Sequence, residues 1–111
     1  GSRVFWLPDT FGYSAQLPQI IRGAGLEFFL TQKLSWNLIN PFPYQSFWWQ
    51  GLDGTRVLTH FPPADTYNND MSVKSVVYGA KNYKQKAASN VSLALYGNGD
   101  GGGGPQREMI E

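Results

Sequence analysis

Cysteine is absent from the 111 residues. That excludes a disulfide framework and any zinc site built on thiolates, and it leaves the redox compartment open. Charge is scarce as well. Nine basic residues against eight acidic ones give a formal net charge of +1, which is no electrostatic footprint for nucleic acid or for an anionic membrane, so neither is expected as a partner. No apolar run approaches the roughly 20 residues that span a bilayer. There is no internal repeat and no linker, and the length suits one small domain with a modest core.

What the chain has in quantity is rings and glycine: aromatics make up 15% of it, with four tryptophans, and glycine numbers 13. Aromatic, charge-poor surfaces suit sugars, whose C–H faces stack on rings. The same composition suits an α/β core, and composition alone favours the core.

Val4-Phe5-Trp6-Leu7, stopped by Pro8, reads as a buried strand. Ser14 is placed to cap a helix whose stripe is Leu17, Ile20, Ile21 and Ala24, with Gly25 ending it. Phe28 to Thr31 reads as a second strand, and Asn37 to Gln45 as a loop. Phe47 to Gln50 and Arg56 to Phe61 read as strands joined at Asp53-Gly54, a strong hairpin signal. Ser72 can cap the clearest helix, with an apolar stripe of Val73, Val76, Val77, Ala80, Tyr83 and Ala87, and with Lys74, Lys81, Lys84 and Lys86 mostly on the exposed side. Val91 to Tyr96 reads as another buried strand, Gly97 to Gly104 as a glycine-dense loop, and Gln106 onward as the start of a helix. This alternation is α/β, and in such sheets the loops leaving the strand C-termini carry the site. Three loops qualify: Pro8 to Ser14, Pro62 to Asp70, and Gly97 to Pro105. The chain begins on a strand and stops as a helix begins, so residues 1–111 read as an internal excerpt of a larger barrel. Such an excerpt exposes sheet edges and apolar faces, and association into a homo-oligomer, or dependence on the remainder of a longer protein, is expected.

Asp9 follows a strand and a stiff proline, among rings. A carboxylate so held suits a nucleophile or a hard metal ligand, and equally a turn or capping aspartate. Asp100 is a lone carboxylate among glycines: a general acid/base on a tight loop, or a solvated turn residue. Gly97-x-Gly99-x-x-Gly102 formally matches a dinucleotide fingerprint, but the run of glycines and Pro105 leave little helix start to hold a pyrophosphate. His60, the single histidine, reads as a hydrogen-bonded structural residue. Lys33 follows another strand end. Trp36, Trp48 and Trp49 are able to stack a sugar, although adjacent Trp48 and Trp49 must point to opposite faces of their strand. Three readings stand: an enzyme fragment, a carbohydrate-binding module using Trp36, Trp48 and Tyr67, and a nucleotide-binding domain built on the glycine loop.

Four stretches together resemble glycoside hydrolase family 38, the α-mannosidases. They are Val4-Phe-Trp-Leu-Pro-Asp9-Thr-Phe-Gly-Tyr-Ser14 with Leu17-Pro18-Gln19; Phe29-Leu-Thr-Gln-Lys-Leu-Ser-Trp-Asn37; Asp53-Gly-Thr-Arg-Val-Leu-Thr-His60; and Gly99-Asp-Gly-Gly-Gly-Gly-Pro105. The resemblance covers nearly the whole chain, and the form of the last stretch looks like the cytosolic and vacuolar branch and its bacterial relatives. It implies a seven-stranded β/α barrel of mostly parallel strands, here with a hairpin insertion. It implies zinc-dependent, retaining hydrolysis of α-mannosidic bonds in oligosaccharides, in a cytoplasmic or alternatively vacuolar protein. Asp9 matches the nucleophile, which is also a zinc ligand, and Asp100 matches the region of the proposed acid/base. Phe11, Lys33, Trp36 and Tyr67 are the expected substrate-binding residues: Lys33 matches a basic position near the nucleophile, and Tyr67 an aromatic lining the sugar pocket. The family's other zinc ligands match nothing in these residues, so the fragment alone is expected to be inactive.

Overall fold

The computed structural model describes residues 1–111. They form two compact units, Gly1–Phe61 and Pro62–Glu111.

In the first unit a four-stranded sheet runs in the order β1-β2-β4-β3. Strand β1 is Val4–Leu7, β2 is Phe28–Thr31, β3 is Ser46–Gln50 and β4 is Arg56–His60. β1 pairs parallel with β2, β2 parallel with β4, and β3 antiparallel with β4. The expected α/β character and mostly parallel pairing are present, in a sheet of four strands. The hairpin forms where Asp53-Gly54 places it: Gly54 takes φ +85°, which glycine adopts freely, and the Gly51 N–H donates to the Thr55 carbonyl at 2.8 Å. Helix α1, Leu17–Gly23, carries Pro18 in its first turn, where a missing N–H costs nothing, and Gly25 follows it at φ +77°.

Side chains alternate across the sheet. On one face Phe29 and Val57 pack with Ile21 of α1, and Phe5, Leu17 and Trp49 close around them. Full burial of Ile21, Phe29 and Val57 is worth roughly 1.5–3 kcal/mol apiece, and the half-buried neighbours contribute less. Trp48, one residue from Trp49, points the other way and is 64% exposed, as two neighbours on a strand must be divided. Trp6 shares that second face through the register Trp6↔Leu30, Phe28↔Leu58 and Leu58↔Trp48.

Three expectations change here. Val4–Leu7 is not covered on both faces: β1 is an edge strand whose Val4 and Trp6 remain exposed. Ser14 does not cap α1, since Gln16 holds the N-cap position. Of the predicted α1 stripe, Ile20 and Ala24 are exposed, and the residues that the helix buries are Pro18 and Ile21.

The second unit is built around helix α2, Val73–Asn82. Ser72 caps it as expected, its hydroxyl accepting the Ser75 N–H at 3.3 Å. The four lysines at 74, 81, 84 and 86 are exposed. Of the predicted apolar stripe Tyr83 is buried, whereas Val73, Val76, Val77, Ala80 and Ala87 are exposed, and the buried residue within the helix is Gly79, laid on Ala64. The Asn82 amide donates to the Pro63 carbonyl at 2.7 Å, and Tyr83 turns extended, so the helix stops short of Ala87. Val91 to Tyr96 does not form a strand. A strand needs a neighbour for its backbone groups, and this run meets one only at the single bridge Asn69↔Tyr96. The glycine loop therefore follows irregular chain rather than a strand end. Arg107–Met109 is a 3₁₀ turn. No helix is long and apolar enough to cross a membrane.

Candidate functional site

The parallel pairing sets a first group of candidate residues, all in the first unit. Register Leu7↔Thr31 and Leu30↔His60 brings the C-terminal ends of β1, β2 and β4 to one edge of the sheet. Asp9 lies two residues beyond β1, and Lys33 two residues beyond β2. The Lys33 Nζ is 3.3 Å from the Asp9 Oδ1, with the lysine side chain 6% exposed and the aspartate 53%. The same ammonium stands 3.6 Å from the centre of the Trp36 ring and 5.7 Å from that of Phe11. The cause is local. Residues Lys33–Trp36 make a single 3₁₀ turn, in which side chains three apart eclipse one another, so Trp36 is delivered beneath Lys33. The turn is held by the Ser35 N–H and hydroxyl, both donating to the Gln32 carbonyl, at 3.0 and 2.6 Å. A desolvated cation over an indole face is worth up to about 2 kcal/mol, which offsets part of the cost of burying the ammonium.

Thus four of the expected site residues, Asp9, Phe11, Lys33 and Trp36, are brought together. The arrangement presents a half-exposed carboxylate held by a buried cation, beside aromatic faces. His60, at the end of β4, is not part of that contact set. Its Nδ1 is 2.8 Å from the Ser46 hydroxyl, its Nε2 is buried with no partner, and burial pushes its pKa below the ordinary value.

The second group lies in the second unit. The Tyr67 hydroxyl donates to the Asp100 Oδ1 at 2.8 Å. Asp100 sits at φ +61°, a left-handed conformation that aspartate tolerates better than most residues. Reciprocal backbone bonds between Asn98 and Gly103, at 3.2 and 3.0 Å, close the loop around it. The Gly99 N–H donates to the Asn68 side-chain oxygen, and any Cβ at Gly99 would collide with Asn68 and the Tyr67 ring. Glycine at that position is therefore what permits the Tyr67–Asp100 contact. No α-helix begins at Gly99. The next helical residues are the 3₁₀ turn at Arg107–Met109, so the helix N-terminus that the dinucleotide fingerprint calls for does not follow this loop.

Metal ligation was expected of Asp9. No group of three or more His, Asp or Glu side chains is placed to hold a metal ion. Zinc takes four ligands as a rule, and a single carboxylate facing a lysine ammonium does not make that site by itself.

Two residues that the sequence did not mark also meet at Asp9's loop. The Tyr13 hydroxyl contacts the Thr31 hydroxyl, and the Thr31 Oγ1 donates to the Leu7 carbonyl at 2.7 Å.

The model of the glycosyl hydrolases family 38 N-terminal domain matches residues 1–111. Alpha-mannosidase G of Dictyostelium discoideum is 63% identical over 107 residues, 96% of this chain and 10% of that protein. Alpha-mannosidase 2C1 of Homo sapiens is 59% identical over the same share of each. An alpha-mannosidase of Saccharomyces cerevisiae is 54% identical over 110 residues, 99% of this chain and 10% of that protein. The chain thus spans about a tenth of the length of the curated relatives it matches.

Proposed function

The chain belongs to the glycosyl hydrolases family 38 N-terminal domain family, and from that premise we propose that the longer protein it represents hydrolyses α-mannosidic bonds in mannose-containing oligosaccharides. The observation that carries the reading is the Asp9–Lys33 pair at the C-terminal edge of the parallel strands. Catalytic side chains of β/α enzymes concentrate at that edge, and a seven-stranded barrel completed by the rest of the protein is the architecture we propose for it.

Asp9 is the proposed nucleophile. Its carboxylate attacks the anomeric carbon as the glycosidic bond breaks, and water then releases the sugar with retained configuration. The Lys33 ammonium at 3.3 Å fixes the carboxylate's direction, so little freedom is lost on reaching the transition state. Trp36 and Phe11 offer ring faces to the sugar's C–H groups. Asp100 is the proposed acid/base, and the Tyr67 hydroxyl holds its Oδ1. Zinc, with Asp9 as one ligand and the others supplied from outside these 111 residues, would grip substrate hydroxyls when bound.

The test is Asp9→Asn in the longer protein, read as turnover of an aryl α-mannoside together with metal content. The amide keeps the shape but not the nucleophile, so turnover should fall at least about 10³-fold, and bound zinc should drop. Near-normal turnover in the variant overturns the role given to Asp9. The anomer formed first, followed by NMR, tests retention separately: inverted product rejects the covalent step.

A further inference from the structure

Asp9 lies between two backbone carbonyls that are tied to a single pair of side chains. The Thr31 Oγ1 donates to the Leu7 carbonyl at 2.7 Å. The Tyr13 hydroxyl contacts Thr31 Oγ1 and lies 3.2 Å from the Thr10 carbonyl. Each hydroxyl has one proton. Thr31 spends its own on Leu7, so the tyrosine must donate to Thr31, with the Thr10 carbonyl sharing that proton. The chain of donors thus runs from Tyr13 to Thr31 to Leu7, and it touches the loop on both sides of Asp9.

The mechanical effect is specific. The Leu7 carbonyl belongs to the Leu7–Pro8 peptide, so holding it fixes that peptide plane. The Pro8 ring then fixes the next φ near −65°. Few torsions remain free between the end of β1 and the Asp9 side chain, and the Thr10 contact limits the backbone beyond it. Tyr13 is itself held: its ring packs edge-on against Phe29 at 5.3 Å and against Trp49 at 6.2 Å. Burial raises the pKa of its phenol, with the Thr31 contact acting the other way.

We propose that Tyr13 and Thr31 are positioning residues for Asp9, a hydroxyl clasp that sets the direction of the carboxylate toward the substrate. The inference rests on the role proposed for Asp9. It differs from the Lys33 contact in acting through the backbone rather than on the carboxylate.

The experiment uses the longer protein with an aryl α-mannoside and compares Tyr13→Phe, Thr31→Val, Thr31→Ser, the Tyr13→Phe/Thr31→Val double variant and Asp9→Asn. Phenylalanine keeps the ring contacts and valine keeps the shape of threonine, so each removes the bond chain and little else. Expected is a fall in kcat of about tenfold to a hundredfold for Tyr13→Phe and for Thr31→Val, as for a misplaced reacting group, with KM within about threefold of the parent's. Thr31→Ser, which keeps the hydroxyl, should restore most of kcat. The double variant should be little worse than either single one, because both break one chain of bonds. The clasp is refuted if both single variants keep kcat within about twofold of the parent, or if Thr31→Ser loses as much as Thr31→Val, which would make packing the cause. Should Tyr13→Phe fail to fold, the Thr31 pair decides alone. If Asp9→Asn retains turnover, the role of Asp9 falls and the clasp with it. If Asp9→Asn is inactive while the clasp variants are normal, only the clasp falls.

Discussion

Lys33 is the residue on which stability and activity should part company. Its ammonium is buried, so it pays desolvation, and the half-exposed Asp9 repays only part of this. Lys33→Met keeps an unbranched stem and removes the charge, and with it both the Asp9 pair and the contact over Trp36. In the longer protein this should leave the thermal midpoint nearly unchanged or slightly raised, while kcat falls by about tenfold or more because Asp9 loses its fixed direction. Thermal unfolding and kcat measured on the same preparation decide it; activity lost only in step with stability would make Lys33 a packing residue. His60 supplies a pH dependence. Burial lowers its pKa from 6.5, so the folded state favours the neutral ring. The unfolded chain then binds more protons than the folded one as pH falls below about 6.5, and stability declines there while remaining complete above it. Denaturant unfolding at about pH 7.5 and 5.5 should show a drop that His60→Asn reduces; an unchanged drop would clear His60. Asp9 and Lys33 were legible as site candidates because each follows a strand directly. Tyr13 and Thr31 were not, since a hydroxyl contact between residues 18 apart depends on where β2 lies beside β1, and no local pattern encodes that.

At the scale of the element, α2 shows what periodicity can and cannot say. The cap was legible: Ser72 accepts from the Ser75 N–H. Ser72→Ala should therefore destabilise by about 1 kcal/mol. The stripe of valines was legible as a shared face, but not whether anything covers it, and Gly79 is the buried helical residue instead. A Cβ at Gly79 would sit 3.6 Å from Ala64, an ordinary contact. Gly79→Ala should therefore stabilise by about 0.5–1 kcal/mol through helix propensity. Denaturant titration of both variants checks the pair, and a destabilised Gly79→Ala would show that the Ala64 contact is already full. The β3–β4 hairpin was legible because its signal, Asp53-Gly54, is contained in the turn itself. Val91 to Tyr96 misled for the opposite reason: an apolar run is competent to be a strand, but becomes one only beside a neighbour.

At the scale of the whole molecule, the sheet ends at β1 on one side and β3 on the other, and both carry unpaired backbone groups on their outer edges. The face bearing Trp6 and Trp48 adds exposed apolar area. The 111 residues prepared alone should therefore self-associate and show no appreciable mannosidase activity. Light scattering is the measurement, and a monodisperse monomer with cooperative unfolding would contradict the first half. The α/β class was legible from alternation, whereas the count of seven strands came from family resemblance and is a proposal for the longer protein. The strand order has a kinetic consequence. β2 is flanked by β1 and β4, and β3, which is made before β4, lies at the far side. A hairpin closes in about 1–10 μs, faster than a long crossover. β3 and β4 should therefore zip first and dock on β2 as a finished pair, which keeps β3 from claiming the edge that β4 must take. Pulsed hydrogen exchange during refolding of the longer protein should protect residues 46–60 before 28–31, and protection in the reverse order would show that β2 recruits β4 before the hairpin exists.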